Sequence, residues 1–153
     1  MSAVLRPAPK FEPMSEADLR RVLEIEETLY EFPWTPGNFR DSLRAGYCCW
    51  VVRDGRRLIG YAVLMLAAGE AHLLNLSVAA PAQRRGHGRS LLEHVVGIAR
   101  EHEAKVLFLE VRPTNEVGQR LYAGYGFKQV GVRRGYYPAH RGREDAIVLA
   151  LDL

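Results

Sequence analysis

The sequence predicts an α/β protein of the α+β mixed kind: one mixed, mostly antiparallel sheet of about seven strands, flanked by about four helices. Three observations predict it. The chain has 153 residues, 48% of them apolar and 25% charged, the size and balance of one globular domain. Strand-like and helix-like stretches follow in the order β-α-α-β-β-β-α-β-α-β-β, which is not a repeated βαβ unit and disfavours a doubly wound sheet. Three consecutive strands joined by short turns make an antiparallel meander, whereas the later strand–helix alternation brings crossovers. Residues 1–153 are read as a single domain with a loose lead-in over about residues 1–10, where Pro7 and Pro9 fall.

Each element has its own signal. Ser15-Glu16-Ala17-Asp18 resembles a capping box, and Leu19, Val22, Leu23 and Leu29 keep a helical stripe to about Tyr30. Phe32-Pro33-Trp34 breaks that helix. Thr35-Pro36 is an N-cap followed by proline at the first helical position, opening a short helix that stops at Gly46. The meander spans Tyr47 to Arg53, Leu58 to Ala67 and about Ala71 to Val78, with Asp54-Gly55 and Gly69-Glu70 as turns. Gly88 to His102 is a long helix, with Leu91, Leu92, Val95, Val96 and Ala99 on one face. Lys105 to Val111 is a strand, and about Asn115 to Ala123 a helix ended by Gly124-Tyr125-Gly126. Phe127 to Tyr136 and Glu144 to Leu151 are the last strands.

Composition removes several classes. No stretch approaches the roughly 18 apolar residues of a membrane span, and Met1 to Lys10 lacks the apolar core of a secretory signal. The two cysteines, Cys48 and Cys49, are adjacent. Neighbours on a strand point to opposite faces, so they do not pair; a cytoplasmic protein with reduced thiols is expected. The five histidines show no metal-ligand spacing with cysteine, and no metal is expected. No Gly-x-Ser-x-Gly elbow occurs, which argues against a serine hydrolase. The net charge of +3 is uneven: −1 over residues 1–80, +7 over 81–143 and −3 over 144–153. A basic middle suits an anionic partner, a phosphorylated small molecule or a nucleic acid, or is simply a solvated surface.

The most informative stretch is Gln83-Arg84-Arg85-Gly86-His87-Gly88-Arg89, between a strand and the long helix. Gly86 and Gly88 permit a tight turn and close ligand approach. Free N–H groups and the helix dipole favour phosphate there, and Arg84, Arg85 and Arg89 add charge. No Gly-Lys-Ser/Thr follows, and Leu91 stands where a dinucleotide fingerprint has its third glycine.

Gln83, Gly86 and Gly88 match Gln/Arg-x-x-Gly-x-Gly/Ala, the acetyl-coenzyme A signature of the GNAT N-acetyltransferases, and the element order resembles that fold. A second resemblance covers nearly the whole chain. Phe32-Pro33-Trp34, Asn75-Leu76-Ser77-Val78, Leu109-Glu110-Val111-Arg112, Asn115, Leu121-Tyr122, Gly126-Phe127, Arg133-Arg134-Gly135-Tyr136-Tyr137-Pro138 and Gly142-Arg143-Glu144-Asp145-Ala146 are similar to the RimI family. Its members are bacterial acetyltransferases of the N-terminal alanine of small-subunit ribosomal protein eighteen. The chain departs from the pattern at Ser77, where alanine is common, at Pro113-Thr114 and at Gly118.

The resemblance implies acetyl-coenzyme A as cosubstrate, bound along Leu76, Ser77 and Val78, by the loop residues Arg84, Arg85, Gly86, His87, Gly88 and Arg89, and by Asn115. It implies Glu110 as proton acceptor, directly or through water, and Tyr122 as proton donor to the leaving thiolate. The chemistry is reasonable from below. A free α-amine has a pKa of about 7.7–8.0 and is already partly neutral, so a modest base suffices. A phenol near 10 can protonate or hydrogen-bond a thiolate whose acid is near 8.5. A backbone N–H of the Leu76–Val78 strand would hold the developing oxyanion. Read without the resemblance, Glu110 could equally pair with Arg112, Tyr122 could be a core aromatic, and Asn115 is an N-cap.

On the acceptor side, Trp34, Tyr136 and Tyr137 would wall a peptide groove or pack. Glu24, Glu26, Glu27 and Glu31 make the end of the first helix acidic, either for a basic acceptor peptide or as a solvated face. The expected protein is a monomer that transfers acetyl directly in a ternary complex, without direct contact to nucleic acid or membrane. Two alternatives stand: an acetyltransferase of a small amine or a protein lysine, and an RNA- or ribosome-binding module. The second is disfavoured because no aromatic-basic RNA motif accompanies the arginines.

Overall fold

The structure, a computed structural model, describes residues 8–153; most of the expected lead-in lies outside the described residues. Its strands are β1 (Lys10–Pro13), β2 (Cys48–Asp54), β3 (Arg57–Ala67), β4 (Glu70–Val78), β5 (Val106–Val111), β6 (Lys128–Pro138) and β7 (Arg143–Asp152). Its helices are α1 (Leu19–Leu29), α2 (Pro36–Arg44), α3 (His87–Glu101) and α4 (Glu116–Tyr125). One seven-stranded sheet runs in the order β1-β2-β3-β4-β5-β7-β6, and β4–β5 is its parallel pair among antiparallel neighbours. No helix among the described residues is long and apolar enough to cross a membrane.

Strand alternation builds two cores. Tyr61 and Val63 of β3 face Val22, Ile25 and Phe39 of α1 and α2. Ala62 and Leu64 face Leu91, Leu92 and Val95 of α3, because successive strand residues point to opposite faces. Covered on both faces, β3 is buried from Leu58 to Leu64, and all five residues of the expected α3 stripe are buried. Cys48 and Cys49 lie on opposite faces of β2, one against each core.

Local signals shift small boundaries. Ser15 and Asp18 do meet, Ser15 N–H donating to Asp18 Oδ2 at 2.9 Å, but they open a short 3₁₀ turn at Glu16–Asp18 before α1. The first strand of the expected order is β1, which pairs with β2. Helix α4 runs through Gly124 to Tyr125 rather than stopping at Ala123, and ends at Gly126 with φ 121°. The left-handed half of the backbone map favours glycine there.

A bulge positions the site. Val63 pairs with Asn75 but Leu64 with Leu73, so Leu74 is an extra residue in β4. The parallel pairing with β5 stops at Leu73↔Leu109. Beyond it β4 continues to Val78 beside β3 alone, and β5 continues to Val111 beside β7 alone. The strands part, and a cleft of about 860 Å³ opens between them.

Candidate active site

The free edge of β4 forms one wall. Ala79 N–H donates to Ile59 O of β3 at 2.8 Å. Backbone groups alternate sides along a strand, so Ser77 also turns its N–H and C=O toward β3. Leu76 and Val78 turn theirs to the free edge. The Gln83 side chain donates to the Val78 carbonyl at 2.9 Å, tying the signature loop to the end of this strand.

That loop enters α3 through two left-handed residues, Arg84 with φ 64° and Gly86 with φ 81°. Gly86 is the helix N-cap, where the following N–H groups lack intrahelical acceptors and attract anions. Arg84, Arg85 and Arg89 are exposed around it. A Cβ at Gly88 would meet Leu121 Cδ2 at 3.5 Å, an ordinary contact, so within the fold it is Gly86, with its left-handed backbone, that requires glycine. His87 and Arg85 line a small cavity of about 40 Å³ with Asp54 and Arg57. Leu76, Glu110, Asn115, Tyr122, Trp34, Tyr136 and Tyr137 all line the main cleft.

Glu110 is the first β5 residue beyond the parallel pairing, so the parting of the strands exposes it to the cleft. Its side chain is 11% exposed, with Oε1 3.9 Å from His72 Nε2 and 3.7 Å from Arg133 Nη1. Both exceed hydrogen-bonding distance. The alternative partner, Arg112, is committed elsewhere: it donates to Glu144 Oε2 at 3.1 Å and to the Pro138 carbonyl at 2.9 Å.

Tyr122 is buried on α4, edge-on to Phe127. Burial pushes its phenol above the ordinary value near 10, and the neighbouring Tyr30 and Tyr137 push the same way. It therefore keeps its proton at neutral pH. Asn115 is the N-cap of α4, its side chain accepting from Gly118 N–H at 2.9 Å.

The cleft is roofed where the α1–α2 loop meets the β6–β7 hairpin. The Arg112 guanidinium lies 5.2 Å from the Phe32 ring and 4.2 Å from the Tyr137 ring, and Glu31 pairs with His140. Burial, then the nearby Glu110, pushes the Tyr137 phenol up to about 12. Tyr136 is half-exposed beneath Arg133. Trp34 lines the cleft and packs on Phe39 at 5.1 Å, so its two readings are compatible. Burial alone would raise Glu144, but hydrogen bonds from Thr114 and Arg112 hold it below the usual carboxylate range.

Sequence reasoning placed Glu26 with the acidic end of α1; the structure corrects this. Glu26 is 2% exposed and accepts from Tyr61 O–H at 2.7 Å, Asn75 Nδ2 at 3.0 Å and Trp34 N–H at 3.0 Å. A signal existed: Leu19, Val22, Glu26 and Leu29 keep helical spacing, which puts Glu26 in the apolar stripe. A carboxylate there needs buried donors. Tyr30, which lines the cleft beside it, carried no sequence signal.

The splayed β4–β5 pair opens a cleft lined by the Glu110 carboxylate and the Tyr122 phenol, and the turn through Arg84 and Gly86 enters α3 beyond the end of β4. The chain belongs to the acetyltransferase (GNAT) family, whose sequence model matches residues 19–127. The [ribosomal protein bS18]-alanine N-acetyltransferase of Escherichia coli (strain K12) is 34% identical over 140 residues, 92% of this chain and 95% of that one. The crystal structure of the Escherichia coli ribosomal-protein-S18-alanine N-acetyltransferase superposes with a TM-score of 0.87 at 32% identity, covering 95% and 94% of the chains. Arabidopsis thaliana NAA60, in complex with a bisubstrate analogue, shares the fold with a TM-score of 0.86 at 19% identity over 95% and 98%.

Proposed function

We propose that this protein transfers acetyl from acetyl-coenzyme A to the α-amine of the N-terminal alanine of ribosomal protein bS18. The observation that carries the reading is the 34% identity to the Escherichia coli enzyme across 92% of the chain. The residues fit the cosubstrate. Leu76 and Val78 present a free strand edge to an amide-bearing arm, the Arg84–Arg89 turn presents N–H groups and cations to a pyrophosphate, and Asn115 flanks the arm from α4. Ser77, expected among the cofactor contacts, is instead buried with its hydroxyl held by Asn75 and Tyr30.

Acetyl-coenzyme A, when bound, supplies an acyl carbon activated by its thioester. The chain's residues supply the rest. Glu110 accepts a proton from the amine as its nitrogen attacks that carbon. A free-edge N–H from Leu76 or Val78 stabilises the charge that develops on the acyl oxygen. Tyr122 hydrogen-bonds the sulfur as the carbon–sulfur bond breaks. Its raised pKa makes it a donor rather than a strong acid, and the thiolate gains its final proton from solvent. Attack is direct, with both ligands bound. The roof of Trp34, Tyr136 and Tyr137 admits the extended peptide. The whole chain acts as one cytoplasmic, monomeric domain, apart from membrane and nucleic acid.

The test uses purified protein, acetyl-coenzyme A and two peptides: the alanine-initiated bS18 N-terminus, and the same peptide with a blocked α-amine and a free lysine. Mass spectrometry should find one added acetyl group on the first only. Modification of the second alone would move the assignment to a lysine or small-amine acceptor. Modification of neither would remove the acceptor assignment.

A further inference from the structure

A chain of side-chain hydrogen bonds leads from the buried Glu26 to the cleft, and its polarity can be read. Both Glu26 oxygens already accept, one from Tyr61 O–H and one from Trp34 N–H. Asn75 therefore turns its NH₂ to Glu26, at 3.0 Å, and its carbonyl oxygen away. That oxygen lies 2.7 Å from Ser77 Oγ, so Ser77 donates to it. Ser77 has one proton. The 2.6 Å contact between Tyr30 and Ser77 must then use the Tyr30 proton. The result is one direction of donation, Tyr30 to Ser77 to Asn75, imposed from Glu26. With its proton pinned inward, the Tyr30 oxygen offers only lone pairs to the cleft it lines.

We infer that Tyr30 is the residue that selects a primary amine: its phenolic oxygen accepts one N–H of the attacking nitrogen while Glu110 accepts the other. The inference rests on the proposed acetyl transfer to an amine, though not on which amine. A neutral primary amine has two N–H groups and one lone pair. Two acceptors on the cleft wall, Tyr30 and Glu110, leave that lone pair for the acyl carbon. A secondary amine has one N–H and leaves Tyr30 unmatched. A site built to accept a hydrogen bond discriminates against ligands that cannot make it. Burial, with a smaller push from Glu26, outweighs the lowering by the Ser77 hydrogen bond and raises the Tyr30 phenol to about 12, so it keeps the proton that the chain requires. Ser77, Asn75 and Glu26 are positioning residues in this scheme, and Ser77, a departure from the family pattern, is the link that fixes the Tyr30 proton.

The test compares Tyr30→Phe with the wild type on an alanine-initiated peptide and its N-methylalanine twin. The wild type should prefer the primary amine. Tyr30→Phe should raise KM for the primary-amine peptide about tenfold, leave KM for acetyl-coenzyme A unchanged, and reduce the preference over the N-methyl peptide to near unity. Ser77→Ala keeps the oxygen but frees the proton, and should fall between the two. Calorimetry at pH 9, where the amine is largely neutral, makes the same comparison without turnover on protein saturated with coenzyme A. Full retention of the preference in Tyr30→Phe, or equal effects on both KM values, would overturn the inference, as would peptide binding alike in both proteins. If only lysine peptides are acetylated, the acceptor assignment fails instead, and the comparison is read on a lysine and N-methyllysine pair.

Discussion

The Asn115 side chain lies directly over Gly118: a Cβ at position 118 would come within 2.6 Å of Asn115 Nδ2 and 3.0 Å of its Cγ. The glycine that interrupts α4 thus makes room for the amide that caps it. In an exposed helix interior, glycine to alanine gains up to about 1 kcal/mol. Here it must displace the cap, whose loss costs about as much. Gly118→Ala should yield no net rise in melting temperature and should weaken acetyl-coenzyme A binding, since Asn115 lines the cleft. Calorimetric melting with a coenzyme titration checks both; a clear gain in stability with unchanged affinity would contradict the arrangement.

Glu110→Gln preserves shape and hydrogen-bonding reach but cannot take a proton. Turnover should fall about a hundredfold or more, and the rise of rate with pH should flatten. A pH–rate profile of the variant identical in shape to that of the wild type would remove Glu110 as the base.

Tyr122→Phe should lower kcat about tenfold to a hundredfold while coenzyme affinity holds, because the ring's packing on Phe127 is kept and only the donor is lost. Since the Tyr122 pKa is raised, the wild-type rate should not decline below pH 10 through loss of this proton. Stopped-flow turnover with an independent coenzyme titration separates the two effects.

His94 on α3 is stacked between Phe11 of β1, at 4.4 Å, and the edge-on ring of Trp50 on β2, also at 4.4 Å. Among the described residues its Nε2 is buried without a partner, and burial holds its pKa below 6.5. The unfolded chain therefore binds the proton first as pH falls. Stability from this site is complete above about pH 6.5 and declines below it. Denaturant midpoints measured from pH 7.5 to 5 should drop for the wild type, and His94→Phe should remove part of that drop. Parallel curves would exclude His94.

The family and much of the fold were legible in residue order. Helical spacing located the buried stripe of α3, turn residues bounded the meander, and Gln83, Gly86 and Gly88 marked the turn that enters α3, all within short windows where local geometry dominates. The same holds for Asn115, whose capping partner is three residues away.

Tertiary structure alone decided the contacts that close over long separations. Tyr30 meets Ser77 across 47 residues and Glu26 meets Asn75 across 49, and Arg112 turns from Glu110 to Glu144, 32 residues on. The departures from the family pattern make sense only there: Ser77 fastens Tyr30, Thr114 holds Glu144, and Gly118 clears Asn115. The cleft itself follows from the single extra residue Leu74, which parts β4 from β5. Composition and period are properties of neighbours along the chain. Which carboxylate is buried, which donor reaches it and which way a proton points depend on distances that exist only after the sheet has formed.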